Sequence, residues 1–306
     1  MKLIFATRPS ALARWQTAHV MRLLKSAVPS LECDEQIITT NGDRIVDRPL
    51  PEIGGKGLFT SELESALLTG QAQVAVHSLK DLPVDDTPGI VTAAIPARDS
   101  AFDVLVSVNG QTLANLPYAA RVGTCSLRRT AQLLARRPDL TILSLRGNVD
   151  TRVRKLLNGE YDAIVLASAG LTRLGLDTYI SETLPLDVML PAPGQGALAA
   201  QCRADDTETL NLLASIHDSH TADSVATERF FLSALGGGCS LPIAAYAEKN
   251  NGQIILTGAV ISVDGKQSIR LSAVGTDPHQ LGNLLARFVL ERGAADLLAG
   301  LKQVVA

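Results

Sequence analysis

Along the first hundred residues, apolar and polar positions alternate between a strand period and a helical one. Leu3 to Ala6 is a short apolar run, and Ser10 is placed to cap a helix. In that helix Ala13, Val20, Met21, Leu24 and Val28 return at helical spacing until Pro29 ends it. A strand is predicted near Gln36 to Thr40, followed by the turn Ile53-Gly54-Gly55-Lys56-Gly57. The next helix carries Leu58, Leu63, Ala66 and Leu67 and stops at Gly70. Gln73 to His77 reads as a strand running into Ser78-Leu79-Lys80-Asp81. The middle third repeats the pattern, with strands at Arg121 to Gly123, Ile142 to Leu145 and Ala163 to Ala167. Helices at Leu127 to Ala135 and Thr151 to Leu157 separate them. Such alternation implies βαβ units on a largely parallel sheet.

Breaks near Pro96 and at Pro191-Ala192-Pro193-Gly194-Gln195-Gly196 bracket the middle block. The chain is therefore expected to cross between domains twice and close a cleft. The expected boundaries are 1–96 with 197–216, an inserted domain 101–191, and a third domain 220–306. In the last stretch a helix from Val225 to Leu235 ends in Gly236-Gly237-Gly238. Asn250-Asn251-Gly252 and Asp264-Gly265 are hairpin signals around the runs Ile254 to Ser262 and Ile269 to Val274. With a final helix near Pro278 to Leu298, this predicts a small α+β domain with an antiparallel sheet.

Composition narrows the function classes. The net charge of −3 argues against a general nucleic-acid or anionic-membrane binder, and no apolar stretch is long enough to span a bilayer. The N-terminus reaches Thr7-Arg8 before a signal core can form, so a cytoplasmic location is expected. Cys33, Cys125, Cys202 and Cys239 are too scattered for a disulfide framework or a metal site, and are expected to be free thiols, mostly buried. Eight arginines lie between positions 121 and 154, opposed there only by Asp139 and Asp150. A guanidinium fork suits carboxylates and phosphates, and the stretch lacks the aromatic platforms of a single-strand nucleic-acid binder. Arg136 and Arg137 read as a solvated helix face.

Several strand ends carry candidate chemistry. Gly54-Gly55-Lys56-Gly57 precedes a helix, where free N–H groups favour an anion, although the spacing is not that of a Walker loop. In Ala75-Val76-His77-Ser78-Leu79-Lys80-Asp81-Leu82-Pro83 an apolar strand ends abruptly in polar residues, as at ligand sites of parallel sheets. His77 has no partner at metal-ligand spacing. Thr124 and Ser126 stand before a helix whose first turn contains Arg128 and Arg129; two cations there oppose the helix dipole unless an anion compensates. Arg146 and Arg152 repeat that layout, and Cys239 sits on a glycine-rich loop.

These motifs, in order from residue 4 to at least 247, resemble the porphobilinogen deaminase family. The resemblance rests on Thr7-Arg8-x-Ser10, Gly54-Gly55-Lys56-Gly57-Leu58-Phe59, Ala75 to Pro83, and Gly123-Thr124-x-Ser126-Leu127-Arg128-Arg129. It continues through Leu145-Arg146-Gly147-Asn148-Val149-x-Thr151-Arg152, Ala192-x-Gly194-Gln195-Gly196 and Gly237-Gly238-Cys239-x-x-Pro242-Ile243. It implies two doubly wound, periplasmic-binding-protein-like α/β domains around a cleft, and a third α+β domain presenting the cysteine loop. It also implies a dipyrromethane cofactor bonded to Cys239 by a thioether, onto which four porphobilinogen molecules condense before hydrolysis releases the product. By motif, Asp81 would be catalytic. Asp81, Ser78, Lys80, Thr124, Ser126, Arg128 and Arg129 would hold the cofactor. Arg8, Ser10, Lys56, His77, Arg146, Arg152, Arg173 and Gln195 would hold substrate or growing rings, with no metal. A six-ring chain brings twelve carboxylates, which gives the arginine excess a physical cause. The resemblance further implies a monomer with a small-molecule substrate and neither nucleic acid nor membrane as partner.

Four positions depart from the family's usual pattern: Glu52 and Ser61 stand where lysine is frequent, Cys125 where serine is usual, and Gly236 where glutamate is common. The rival reading is a two-lobed solute-binding or effector-sensing protein for a dicarboxylate. It accounts for neither Asp81 beside Lys80 nor a thiol on a glycine loop.

Overall fold

The computed structural model describes residues 2–44, 57–237 and 241–304. Its packing divides the chain into two compact units, Met1–Asp99 with Ala197–Ala222, and Ser100–Gly196 with Asp223–Ala306. The first stretch supplies β1 (Lys2–Thr7), β2 (Glu32–Ile37), β3 (Val74–Ser78) and β4 (Ile90–Ala94), with helices α1 (Ala11–Ala27), α2 (Asn41–Arg44) and α3 (Ser61–Leu68). Strands β5 (Asp103–Ser107), β6 (Arg121–Gly123), β7 (Thr141–Leu143), β8 (Ala163–Ala167) and β9 (Glu182–Thr183) follow, with α4 (Leu127–Arg136), α5 (Val149–Leu157) and α6 (Ser168–Arg173). Last come β10 (Leu198–Arg203), α7 (Thr207–Ala214), α8 (Ser219–Ala234), β11 (Ile243–Asn250), β12 (Gln253–Ile261), β13 (Ser268–Gly275), α9 (Pro278–Val289) and α10 (Ala295–Val304).

The architecture is α/β, with two doubly wound sheets of matching order, β2-β1-β3-β10-β4 and β7-β6-β8-β5-β9, plus the antiparallel sheet β11-β12-β13. The sheets are not simply parallel. In each, four of the five strands run the same way, and the fourth in order, β10 or β5, runs antiparallel to both neighbours. The reason lies in the connections. A helical crossover returns the chain parallel. β5 and β10 instead enter their sheets directly after the chain has passed from one unit to the other. Both faces of each sheet are covered by apolar clusters, around Phe5 and Leu63 in the first unit and around Leu105 and Ile164 in the second.

Several predicted boundaries shift. β2 occupies 32–37 instead of 36–40, because it is an edge strand paired only to β1 and its exposed side chains give no apolar run. The final helix breaks where Gly293 adopts φ +95°. α3 starts at Ser61 after Gly57 (φ +87°), and α8 starts at Ser219. Arg137 is not on a solvated face. It closes α4, forks onto Asp139 through Nε and Nη2 (both 2.7 Å), and donates to the carbonyls of Leu113, Leu116 and Pro117. Arg136 does remain half-exposed near Asp187.

The third sheet has its own core, around Phe231, Leu256 and Leu285, within the second unit. It is joined to α4 by small side chains: Ala131 packs with Leu190, Ala244, Ala259 and Ile261. The β12–β13 turn seats on α4 so closely that a Cβ on Gly265 (φ +72°) would lie 2.4 Å from the Ala135 nitrogen and 2.6 Å from the Ala131 carbonyl. Gly265→Ala is therefore expected to destabilise the protein by about 1–3 kcal/mol from backbone strain, with the overlap adding to that. A urea midpoint unchanged from the native value would contradict this packing.

Candidate active site

The carboxyl ends of the parallel strands gather the polar residues in both units. In the first, β1 leads into Arg8 and β3 into Ser78-Leu79-Lys80-Asp81. The register Ala6 opposite Ala75 brings Arg8 level with His77. Ser10 caps α1 by accepting from the Ala13 N–H (3.2 Å). Arg8 is held by a residue the sequence reading missed: its Nη2 meets Asp43 Oδ1 at 2.5 Å and its Nε meets Oδ2 at 3.2 Å. The guanidinium also lies 4.2 Å from the centroid of the Phe59 ring. Burial raises the Asp43 carboxyl, but bonds from Arg8 and Thr40 outweigh it and hold the group below its ordinary value. Ser78 Oγ accepts from Gln16 Nε2 (2.8 Å), a buried residue of α1. Asp81 is exposed in a single 3-10 turn, Leu79–Asp81.

His77 is buried, and its Nε2 has no hydrogen-bond partner among the described residues. Desolvation, then the nearby Arg8 charge, push its pKa down to about 4, against a smaller opposing contribution from Gln201. The imidazole is neutral at pH 7 and works there as an uncharged polar group.

In the second unit the ends of β6, β7 and β8 carry Thr124 to Arg129, Arg146, and α6 with Arg173. Thr124 Oγ1 accepts from the Ser126 N–H (3.1 Å), and Ser126 Oγ caps α4 through the Arg129 N–H (3.4 Å). The anion that the two first-turn arginines require is Asp103, the first residue of β5. Arg128 Nη1 donates to its Oδ2 (2.7 Å); Arg129 donates to its Oδ1 through Nη2 (2.7 Å) and Nε (3.0 Å). Asp103 is 0% exposed and the arginines 4% and 6%. Arg128 Nη1 also reaches the Leu190 carbonyl, and Arg129 Nη1 the Val165 carbonyl. Burial lowers the Arg128 pKa, and Asp103 opposes that effect. Gln195 Nε2 donates to Asp103 Oδ1 (3.1 Å) and the Ala101 carbonyl (2.7 Å), and Arg173 Nη2 to the Gly196 carbonyl (2.7 Å). Arg152 Nε donates to the Gly147 carbonyl, where φ is +113°. Arg146 Nη1 is buried with no hydrogen-bond partner among the described residues.

Lys56, the double glycine before it, Glu52 and Cys239 lie outside the described residues. Cys125 is exposed, while Cys202 is buried and Cys33 partly so; Cys125 Sγ lies 3.2 Å from Ser144 Oγ and 3.1 Å from the Leu145 carbonyl. Two grooves, of about 440 and 380 Å³, lie away from these groups. One runs by Ser61, Asp85 and Asp86, and the other by Leu157 and Tyr179; none of the assigned site residues lines either. The assigned side chains that are described lie at strand ends, away from both grooves.

This arrangement defines an α/β protein that gathers arginines at its strand ends. Residues 3–211 match the family described as porphobilinogen deaminase, dipyromethane cofactor binding domain, and residues 222–291 match its C-terminal domain. The curated porphobilinogen deaminase of Brevibacillus brevis is 51% identical over 96% of this chain and 95% of its own length. That of Maridesulfovibrio salexigens is 49% identical over 97% of each chain. Among solved structures, the VFT2 domain of BvgS from Bordetella pertussis covers 70% of this chain and 86% of its own, at 17% identity and TM-score 0.41, too distant to carry an argument. The chain belongs to the porphobilinogen deaminase family.

His77 generates a pH prediction. Its folded pKa lies below the ordinary 6.5, so its stabilising contribution is complete above pH 6.5, declines as pH falls toward 4, and changes no further below that. The decline is worth about 3 kcal/mol. Urea unfolding of wild type and His77→Asn between pH 7 and pH 4 should show the variant losing less stability; parallel curves would refute a buried neutral imidazole.

Proposed function

We propose that this chain deaminates four porphobilinogen molecules and condenses them head to tail onto a dipyrromethane primer bonded to Cys239, then releases hydroxymethylbilane by hydrolysis. Its near full-length likeness to curated porphobilinogen deaminases carries this reading. Family membership makes the chain a transferase of tetrapyrrole biosynthesis with a dipyrromethane cofactor. The relatives' names stand with the enzyme and not with a dicarboxylate receptor.

The residues present fit such a cofactor. Two guanidinia share one carboxylate at Asp103, which leaves a positive charge in a buried setting, and Arg146 Nη1 is buried with no hydrogen-bond partner among the described residues. Both features suit the acetate and propionate groups of pyrroles. When bound, the dipyrromethane supplies the pyrrole terminus on which the chain grows. Arg128 and Arg129, with the hydroxyls of Thr124 and Ser126, would hold its carboxylates; Ser78 and Lys80 are assigned to it by motif. Arg8, Ser10, Lys56, His77, Arg146, Arg152, Arg173 and Gln195 would hold substrate and product rings. Asp81, exposed at the end of β3, would accept pyrrole N–H bonds and stabilise positive charge as it develops on the ring nitrogen. It would also pass a proton to the leaving amine. We further place the chain in the cytoplasm as a monomer. No described helix is long and apolar enough to cross a membrane.

Two measurements test this reading. The intact mass of the purified protein should exceed that of the sequence by one dipyrromethane, and Cys239→Ser should remove the excess while Cys125→Ser keeps it. An active wild type of bare-sequence mass would contradict the attachment. Asp81→Asn should melt like wild type but lose about 10²–10³ in single-turnover rate, the usual cost of one preorganised electrostatic group. A rate within about threefold of wild type would remove Asp81 from the mechanism.

A further inference from the structure

Successive residues of a helix point about 100° apart, yet Arg128 and Arg129 converge on one carboxylate. Asp103 gives one oxygen to each: Oδ2 to Arg128, and Oδ1 to Arg129 and Gln195. We infer that Asp103 is a positioning residue for the cofactor: it sets the two guanidinium forks side by side while leaving one of their two positive charges for a ligand carboxylate. This rests on the function proposed above.

The bonding is asymmetric in a way that a purely structural ion pair does not require. Arg129 uses all three guanidinium nitrogens, on Asp103 and the Val165 carbonyl. Among the described residues Arg128 bonds through Nη1 alone, to Asp103 and the Leu190 carbonyl, so its Nε and Nη2 remain uncommitted. Among the described residues the printed ion pairs set two arginines against one carboxylate, a ratio that is unfavourable by itself in a site this buried. It becomes favourable when a second carboxylate arrives on the uncommitted side of Arg128. Asp103 also anchors Gln195, so one buried carboxylate braces three residues assigned to pyrrole binding, and the Gly196 carbonyl next to Gln195 accepts from a fourth, Arg173. Asparagine at 103 keeps the shape but presents an NH₂ group to one of the guanidinia, which must then turn away. Glutamate keeps the charge and moves it by one methylene.

The test uses full-length protein from cells starved of porphobilinogen. Wild type, Asp103→Asn and Asp103→Glu are melted, then incubated with porphobilinogen well below their melting temperatures, and the gain of dipyrromethane is followed by intact mass. Asp103→Asn should load at least tenfold more slowly than wild type while folded, and Asp103→Glu should recover part of the rate. A structural ion pair alone predicts a lower melting temperature with normal loading of the folded fraction. Loading by Asp103→Asn within twofold of wild type overturns the proposal. Should that variant not fold, Asp103→Glu decides: loading at least threefold slower supports the role, and wild-type loading overturns it. A wild type that gains no pyrrole mass overturns the functional reading itself, and the role of Asp103 with it.

Discussion

One fully buried carboxylate shared by two nearly buried guanidinia is the constraint around which the second unit is arranged. Placing arginines in the first turn of α4 costs about 0.3–1 kcal/mol each against the helix dipole. Leaving a buried charge unpaired costs about 3–5 kcal/mol. The larger effect decides the architecture: a carboxylate must stand where both forks can reach it. β5 satisfies this by beginning at Asp103, next to β8 in the sheet and running against it. A parallel strand in that place would begin at the opposite edge. The reversed strand thus follows from the double crossover and is also what delivers the carboxylate.

The first unit has the same strand order but different polar wiring. Arg8 has its own carboxylate in Asp43 and a ring face in Phe59, and is partly exposed. Gly42 lets that ring approach, since a Cβ there would overlap it at 2.1 Å. The neighbouring strand end carries a neutral buried imidazole at His77 and, four residues on, an exposed carboxylate at Asp81. One unit therefore presents a surplus of buried positive charge, the other a balanced ion pair with an exposed anion nearby. Matching folds here carry two different arrangements of charge.

Local signals in the sequence were legible where the physics is local. Ser10 and Ser126 cap the helices they precede, the β12–β13 turn falls at Asp264-Gly265, and Ala163 to Ala167 is the buried strand its apolar run announced. What escaped depends on distant parts of the chain. β2 is a polar edge strand, and β5 and β10 are short strands that earn their place by pairing with strands far along the chain. Asp103 lies 25 residues before Arg128; the unbalanced arginine count and the two cations in a first helical turn hinted that an anion was needed, but not which residue supplies it. Asp43 was hidden in the same way behind Arg8. Arg137 looked solvated because its partners are mainly loop carbonyls, which carry no charge signal in a sequence.

The arginine pair also depends on how its helix is held from behind. Arg128 and Gln132, one turn apart, both donate to the Leu190 carbonyl, and Gln132 Oε1 accepts from the Leu190 N–H. The next residue, Pro191, offers its carbonyl to Ala245 of β11. On the same side Ala131, Ala244 and Ala259 bring helix and third sheet together, and Gly265 lets the turn touch the helix backbone. Larger side chains would bury more apolar area but hold the sheet away from the helix, and the gap would leave Leu190 unable to serve both. Close packing transmits displacement because it has no slack to absorb it. The Leu190–Pro191 segment therefore joins the fork of Arg128, through the Leu190 carbonyl, to the third sheet, through the Pro191 carbonyl and Ala245. The small residues at this contact let the sheet sit close to the helix that carries the arginine pair.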